Sequence, residues 1–408
     1  MKESCSVFVV NSVSGLSRVV FIGVLLVFSF LFSCSSDKDE LSDANDIGNY
    51  KIYTGDLYSM VMDKSGQLWA WGNNGCGQFG DGTTENKYLP VKINSSLRFQ
   101  KISAGVVHTL GIDTDGNLWS WGFNNHFGLL GDGTTVSKST PVQIKSGTKF
   151  IAVSAGEYSS FAIDSDGNLW AWGDNVCAQL GDGATEGKSI LTPIHVKSGI
   201  KFRSVAAGEG FTLAIDSEGN LLAWGENKNG ELGVGYSDIY YYSHAQVKAG
   251  TKFKTVSVRY KHSVAIDSDG NLWTWGDNYY GQLGDGTIVV KYTPIQVKIG
   301  TKFKSASAGD GFTVAIDNSG NLWVWGCNLS CQLGDGSVEQ AVRSVPVPEQ
   351  IMSGTKFCAV SAGGAHVLAL DVSGNLWTWG SNFIGQLGDG TSGNYKSTPE
   401  KVKLTSGN

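Results

Sequence analysis

The side chains able to do chemistry in this 408-residue chain are concentrated in a few slots that vary while everything around them repeats. Glu157 with Tyr158, Glu209, Arg259 with Tyr260 and Lys261, and Asp310 occupy matching positions in successive copies of one repeat. They sit just ahead of a slot filled by His108, His262 and His366 in three of the copies. Carboxylates, a guanidinium, an ammonium and phenols gathered in one slot offer ion pairs and hydrogen bonds, which is the chemistry of binding, and exposed Tyr and Arg are residues that interfaces favour. Copy five departs furthest from the pattern: Arg259 replaces the usual glycine, and its next loop carries Tyr279 and Tyr280 where copy three has Val176 and Cys177. Copy four loses its Gly-Asp-Gly aspartate to Val234 and then offers Tyr236, Tyr240, Tyr241 and Tyr242. These variable slots form the candidate binding face, since a functional site should break the symmetry of the repeat.

Other residues imitate catalytic or ligating patterns without completing them. Each hairpin reads like Asp113-Thr114-Asp115-Gly116-Asn117, the opening of a calcium loop, but the later ligands and the bidentate Glu at position twelve are missing. Triplets such as Gly284-Asp285-Gly286 lack the Lys-Ser or Lys-Thr and the helix that a phosphate cradle needs, so they read as turn glycines. The recurrent Asn74, Asn124, Asn175, Asn227, Asn278, Asn328 and Asn382 suit a turn shared by every copy. His108, His262 and His366 share a slot with Tyr58, Ser159, Phe211 and Phe312, which makes them core or channel residues rather than a metal triad. No Ser-His-Asp order, carboxylate pair or Cys-His set can be assembled, so the expectation is a protein with no catalytic residues, no metal and no cofactor.

The elements that must position the variable slots follow from a strict period. Trp-Gly dipeptides recur at Trp71, Trp121, Trp172, Trp224, Trp275, Trp325 and Trp379, at intervals of 50 to 54 residues. All thirteen tryptophans lie in this Trp-x-Trp-Gly element, with Leu222 replacing the first Trp in copy four. One copy, from Phe253 to Gly300, holds four short apolar segments separated by Gly, Asp, Asn and Pro, which is the pattern of a four-stranded sheet. Ala265 to Asp267 and Leu272 to Trp275 flank a tight turn and are expected to pair as antiparallel neighbours. Both Trp residues of a copy then point to one face, and all thirteen are read as core. Pro90, Pro141, Pro193, Pro294, Pro348 and Pro399 mark the outer strand of each unit, where proline is tolerated, with His244 taking that place in copy four. Seven such sheets can bury their indoles only by stacking in a ring, so the predicted fold is all-β, a seven-bladed beta-propeller of four-stranded blades over residues 49–408.

The phrases AGVVHTLGID, LWSWGFNN and GQLGDGT together resemble the repeat of the regulator of chromosome condensation family, over about 360 residues. The resemblance implies a seven-bladed propeller. It also implies, as an alternative to a binding scaffold, guanine-nucleotide exchange on a GTPase, although exchange factors of the family press a hairpin insertion into the GTPase and these copies differ by only four residues in spacing. A plant UV-B photoreceptor of the family carries extra tryptophans in a Gly-Trp-Arg-His-Thr phrase, where this chain has Gly105-Val106-Val107-His108-Thr109. A secreted bacterial relative, which covers beta-lactamases with loops from one face of its ring, is the nearest analogy in mode of action.

The ends and composition set the compartment. Lys2 and Arg18 precede an apolar run from Val19 to Phe32, which reads as a signal peptide over 1–33. The run stops at Leu31-Phe32-Ser33-Cys34, which resembles a bacterial lipoprotein signal with Cys34 as the lipidated first mature residue. The polar stretch behind it makes 34–48 a flexible tether, and its acidic cluster resembles the tag that sends some Gram-negative lipoproteins to the outer surface. The expected protein is therefore a monomer, lipid-anchored at the outer membrane and exposed on the cell surface, that binds a macromolecule, protein first and glycan second. Losing Lys2 and Arg18 against Glu3 moves the net charge from −6 to −7, which disfavours nucleic acid as a partner. Of seven cysteines, Cys76, Cys177, Cys327, Cys331 and Cys358 remain beyond the tether, an odd set with no disulfide framework, though Cys327 and Cys331 are spaced to close a small loop.

Overall fold

Each blade begins from its hairpin. In blade five the strands are Phe253–Arg259, His262–Asp267, Leu272–Gly276 and Lys291–Val297, each antiparallel to the next. The turn at residues 268–271 is held by Asp267, whose Oδ1 accepts the backbone N–H of Asp269 and Asn271 at 2.9 and 2.8 Å, and Gly270 supplies the positive φ of 83°. Pro294 lies in the outermost strand, which pairs on one side only. The computed structural model describes residues 50–404 apart from 185–186, 197–198, 238–239 and 338–343; the expected signal peptide, Cys34 and tether lie outside the described residues. Every regular element among the described residues is a strand, arranged as seven four-stranded sheets in sequence order.

First strands of successive blades pack against one another around the whole circle, so they line the axis and the proline-bearing strands lie outside. Ring closure uses no shared sheet. Blade one is Lys51–Thr54 to Lys87–Lys92 and blade seven is Phe357–Ala362 to Asn394–Val402, each complete in itself. They meet through Thr54, whose hydroxyl lies 2.6 Å from the Ser361 hydroxyl and donates to the Ala362 carbonyl at 3.0 Å. Elsewhere Ser103, Ser154, Ser257 and Ser307 accept the N–H of Ala155, Ala207, Ala308 and Ala362 from the next blade.

The strongest link between blades is an indole. The second Trp of every copy is fully buried and its Nε1–H donates at 2.8–2.9 Å to a backbone carbonyl of the preceding blade. Trp71 reaches Gln386, Trp121 reaches Gln78, Trp172 reaches Leu129, Trp224 reaches Gln179, Trp275 reaches Glu231, Trp325 reaches Gln282 and Trp379 reaches Gln332. A hydroxyl from the second strand, as in Ser263 to Glu231 and Thr313 to Gln282, donates to the same oxygen at 2.8 Å. The glycine two residues on, such as Gly284, passes so close that a Cβ would stand 2.7 Å from Trp325 Nε1.

The first Trp of each pair corrects the expectation that all thirteen are core. Trp119, Trp170, Trp273, Trp323 and Trp377 are only half-buried, because each lies over the outer strand, where the ring ends. Their Nε1–H donates to the hairpin carboxylate of the same blade, Asp113, Asp164, Asp267, Asp317 and Asp371, at 2.8–3.0 Å. A lysine covers several of the rings, with Lys248 and Lys298 ammonium nitrogens 4.0 and 3.9 Å from the centroids of Trp273 and Trp323. The sulfurs of Cys327 and Cys331 are not joined, so the small loop they could close is held by turn hydrogen bonds instead.

Replacing Gly284 by alanine should cost more than replacing Gly147, which has a similar φ (87° against 73°) but nothing within 4 Å of its would-be Cβ. Both variants lose about 1 kcal/mol or more from the positive φ, and only Gly284→Ala adds the collision with Trp325. Urea unfolding midpoints measure the difference, and equal losses would contradict the indole clasp.

Candidate functional site

In every blade the turn between the first two strands and the loop between the last two emerge at the same end of the ring. The predicted Glu157, Tyr158, Glu209, Arg259, Tyr260, Lys261 and Asp310 are all in the inner set of turns, so the structure gathers them around the axis. Tyr279 and Tyr280 lie in the outer loop of blade five, and Tyr240, Tyr241 and Tyr242 begin the outer strand Tyr240–Val247 of blade four, at the same end.

Arg259, like Tyr260, departs from the expectation of an exposed interface residue. It ends the inner strand of blade five and is fully buried, with Nη2 donating to Asp56 Oδ1 of blade one at 3.0 Å. The glycine slot has no side chain in most copies, so the long arm can cross the axis. Gly364 makes room, since a Cβ there would stand 2.3 Å from Asp56 Oδ1 and 3.2 Å from Arg259 Nη2. Backbone bonds run alongside, with the Asp310 N–H to Gly364 O at 3.1 Å and the Gly364 N–H to Asp56 O at 3.2 Å. Asp56 was missed by sequence reasoning, although it occupies the slot of Glu157, Glu209 and Asp310 in copy one.

Blades five, six, seven and one are thus tied across the mouth. Among the described residues no such bridge over the axis reaches blades three and four, which meet at their outer loops through Cys177 Sγ and Glu226 Oε2 at 3.8 Å. Glu157 is buried, accepts from the Tyr158 side chain, and keeps Oε2 without a hydrogen-bond partner. Glu209 Oε2 and the Tyr260 hydroxyl are likewise buried without partners. Tyr260 is itself buried and held at a φ of 50°, a left-handed conformation that costs a bulky residue about 1–3 kcal/mol. Lys261 lies over the Tyr260 ring, 5.0 Å from its centroid.

Burial, then repulsion from Glu209, raises Glu157 well above the usual carboxylate range. Burial raises Glu209 to about 8, partly offset by Lys261, and raises Asp310 to about 7, partly offset by Arg259. Burial also lowers Arg259 to about 9, against the pull of Asp56, Asp310 and Glu157, so the guanidinium stays charged at neutral pH. Glu231, bonded to Asn229 and buried beneath the mouth, rises to about 7 for the same reason.

Around this acidic centre stands an apolar rim. The residue after the shared turn asparagine is exposed in blades three, five, six and seven as Val176, Tyr279, Leu329 and Phe383, at 57, 65, 47 and 44 %. Only Tyr279 of these was expected at the site. Tyr236 stacks near Tyr241, Tyr240 meets Tyr242, and Lys228 covers Tyr240 while pairing with Glu226 at 2.6 Å. Tyr158 meets Phe127 edge-on at 5.5 Å.

The imitators of other chemistry are accounted for by structure. Asp113 spends both oxygens on Asp115, Asn117 and Trp119, and although burial opposes it, those bonds hold its carboxyl below the usual range. Asp285 caps Thr287 and receives Asn278 at 3.2 Å. His108, His262 and His366 point to different neighbouring blades, at Ser160, Thr313 and Ser59, and burial lowers each to about 3, leaving neutral rings. Among the described residues no three His, Cys, Asp or Glu side chains are placed to hold a metal.

Residues 34–248 match the RCC1-like domain, and 269–316, 319–370 and 373–408 match the regulator of chromosome condensation (RCC1) repeat. The chain belongs to the regulator of chromosome condensation repeat family. It is 31 % identical to the ultraviolet-B receptor UVR8 of Arabidopsis thaliana over 347 residues, 84 % of this chain and 79 % of the receptor. It is 29 % identical to the human E3 ubiquitin-protein ligase HERC2 over 83 % of this chain but only 7 % of that protein's length. Prp20p of Saccharomyces cerevisiae, solved with an account of its binding to Gsp1p and histones, shares the fold with a TM-score of 0.72 at 24 % identity, covering 85 % of this chain and 87 % of that one. This family frame is repeated in all seven blades here, whereas the Arg259–Asp56 bridge joins only blades five and one.

The mouth carboxylates give stability a distinct pH dependence. Glu209 and Asp310 have folded pKa values raised above the unfolded ones, so their contribution is complete below about pH 4 and is lost as pH rises through 7 to 8. The lowered hairpin aspartates act in the opposite sense, losing their contribution as pH falls below 4. Thermal midpoints should therefore decline from pH 5 to 8, and Glu209→Gln should flatten that decline; an unchanged slope would show that Glu209 is not held neutral.

Proposed function

We propose that this protein is a non-enzymatic scaffold that binds a protein partner across the loop-bearing mouth of its ring. The observation that carries the reading is the exposed rim of Val176, Tyr279, Leu329 and Phe383 set around a charged centre. A broad apolar surface of this kind fits a protein better than a glycan, which would use one or two rings in a shallow groove. The family supports a binding or regulatory role, since relatives include a light receptor, a ubiquitin ligase and a structure described by its binding to Gsp1p and histones. Exchange on a GTPase, which the resemblance to the family implies, is the second reading. The lipoprotein-like end at Cys34 supports placing the scaffold at the cell surface, where glycans are the next candidates.

A photocrosslinking amino acid at position 279 should capture a discrete protein on intact cells, while the same group at Ile299, exposed at the opposite end, should not. Equal capture from both positions would remove the mouth as the binding face. Fatty-acid labelling that disappears in Cys34→Ala, with protease-sensitive protein on whole cells, tests the anchor; unlabelled and protected protein would reopen the exchange reading.

A further inference from the structure

Charge at the mouth is unevenly settled. Arg259 is engaged by Asp56, and Lys228 is engaged by Glu226. Glu157, which feels the charge of Glu209, and Glu209 itself each keep a buried carboxylate oxygen with no hydrogen-bond partner. Beside them the Tyr260 hydroxyl is also buried and without a partner. Buried acceptors of this kind are normally satisfied, and an unsatisfied one needs an explanation. Two of the three stand on blades three and four, which the Arg259 bridge leaves out, and the third, Tyr260, stands on the neighbouring edge of blade five, so together they offer oxygen acceptors to one donor.

The donor must be a cation that also suits aromatic walls. Tyr158 and Tyr260 flank the carboxylates, and ammonium or guanidinium groups pack on such faces while donating to acids. A metal ion is a poor fit, because no three ligating side chains converge among the described residues. Lys261 already shows what is accommodated: its ammonium rests over the Tyr260 ring and its charge is felt by Glu209, yet Glu209 Oε2 receives no hydrogen bond from it.

We propose that the mouth between blades three and four receives a basic side chain, lysine or arginine, from the protein partner, which displaces Lys261 and donates to Glu157, Glu209 and the Tyr260 oxygen. This rests on the scaffold reading and specifies the partner's anchor. Glu157 and Glu209 bind it as acceptors, Tyr158 and Tyr260 wall it, and Lys261 competes with it as an internal occupant. The exposed rim then excludes water around the buried anchor, as the surroundings of a hot spot do.

The test is calorimetric titration of the full chain with hexalysine and hexaarginine peptides, with calcium as a separate arm. Glu157→Gln with Glu209→Gln preserves shape but cannot ionise to meet a bound cation, and should weaken peptide binding at least tenfold. Lys261→Met should strengthen it, since the competitor is gone. Glu218→Gln, on an exposed hairpin at the opposite end, should change nothing. The site is overturned if the double variant binds as tightly as the wild type, if Glu218→Gln weakens binding as much, or if calcium binds and the peptides do not. A cellular protein captured through position 279 with unchanged yield from the double variant would leave the scaffold standing and refute the basic anchor.

Discussion

Seven indole N–H groups, each reaching back to a backbone carbonyl of the preceding blade, are the constraint on which the ring depends. A four-stranded sheet this short cannot cover its own apolar faces, so it is stable only as a member of a stack. The indole supplies both requirements of stacking. Its carbon surface removes roughly 150–250 Å² from water, and its single polar atom fixes the neighbour at one distance and angle. The same carbonyl takes a second bond from a hydroxyl in most blades, and the glycine beside it keeps the approach open. The Trp71 bond to Gln386 joins the last blade to the first by the rule that joins all others, which explains why closure requires no strand borrowed from the far end of the chain.

A frame held by identical contacts frees the turns at its mouth to differ. Seven similar turns converge on the axis, and the changes among them are electrostatic. Copy five places a guanidinium where the six others have glycine, and that single substitution crosses to Asp56 and pairs with it. Burial lowers Arg259, and the acids Asp56, Asp310 and Glu157 pull against that shift. On the other side Glu157 and Glu209 each keep one buried oxygen without a hydrogen bond. Stability is therefore sacrificed at the place where the surface is most asymmetric, as strained and charged groups tend to be at functional positions.

Much of this was legible in the sequence. The hairpin at 268–271, the proline-marked outer strands and the count of blades follow from turn chemistry and from the period of Trp-Gly, because these depend on neighbours in the chain. The gathering of Glu157, Glu209, Arg259, Tyr260, Lys261 and Asp310 also followed, because equivalent slots of a closed ring must meet at its axis. What the sequence concealed were partners across blades. Arg259 resembled an exposed interface residue until Asp56, 203 residues away, was placed beside it. Half-exposure of Trp273 and its relatives depends on where the sheet ends and on a lysine that covers the ring, neither of which periodicity reports. The apolar rim was hidden because Val176, Leu329 and Phe383 differ in type and share only their place after the turn asparagine.

The most direct measurement is indole N–H exchange with deuterium, followed in a nitrogen-15 spectrum of the intact chain. Thirteen tryptophans should divide into seven slowly exchanging signals, from the buried residues bonded to the preceding blade, and six faster ones from the half-exposed positions. Substituting Trp71 should remove one slow signal and loosen the junction between the first and last blades before any other. A single uniform class of exchange rates, or fewer than seven protected indoles, would mean that the ring is not held by these bonds.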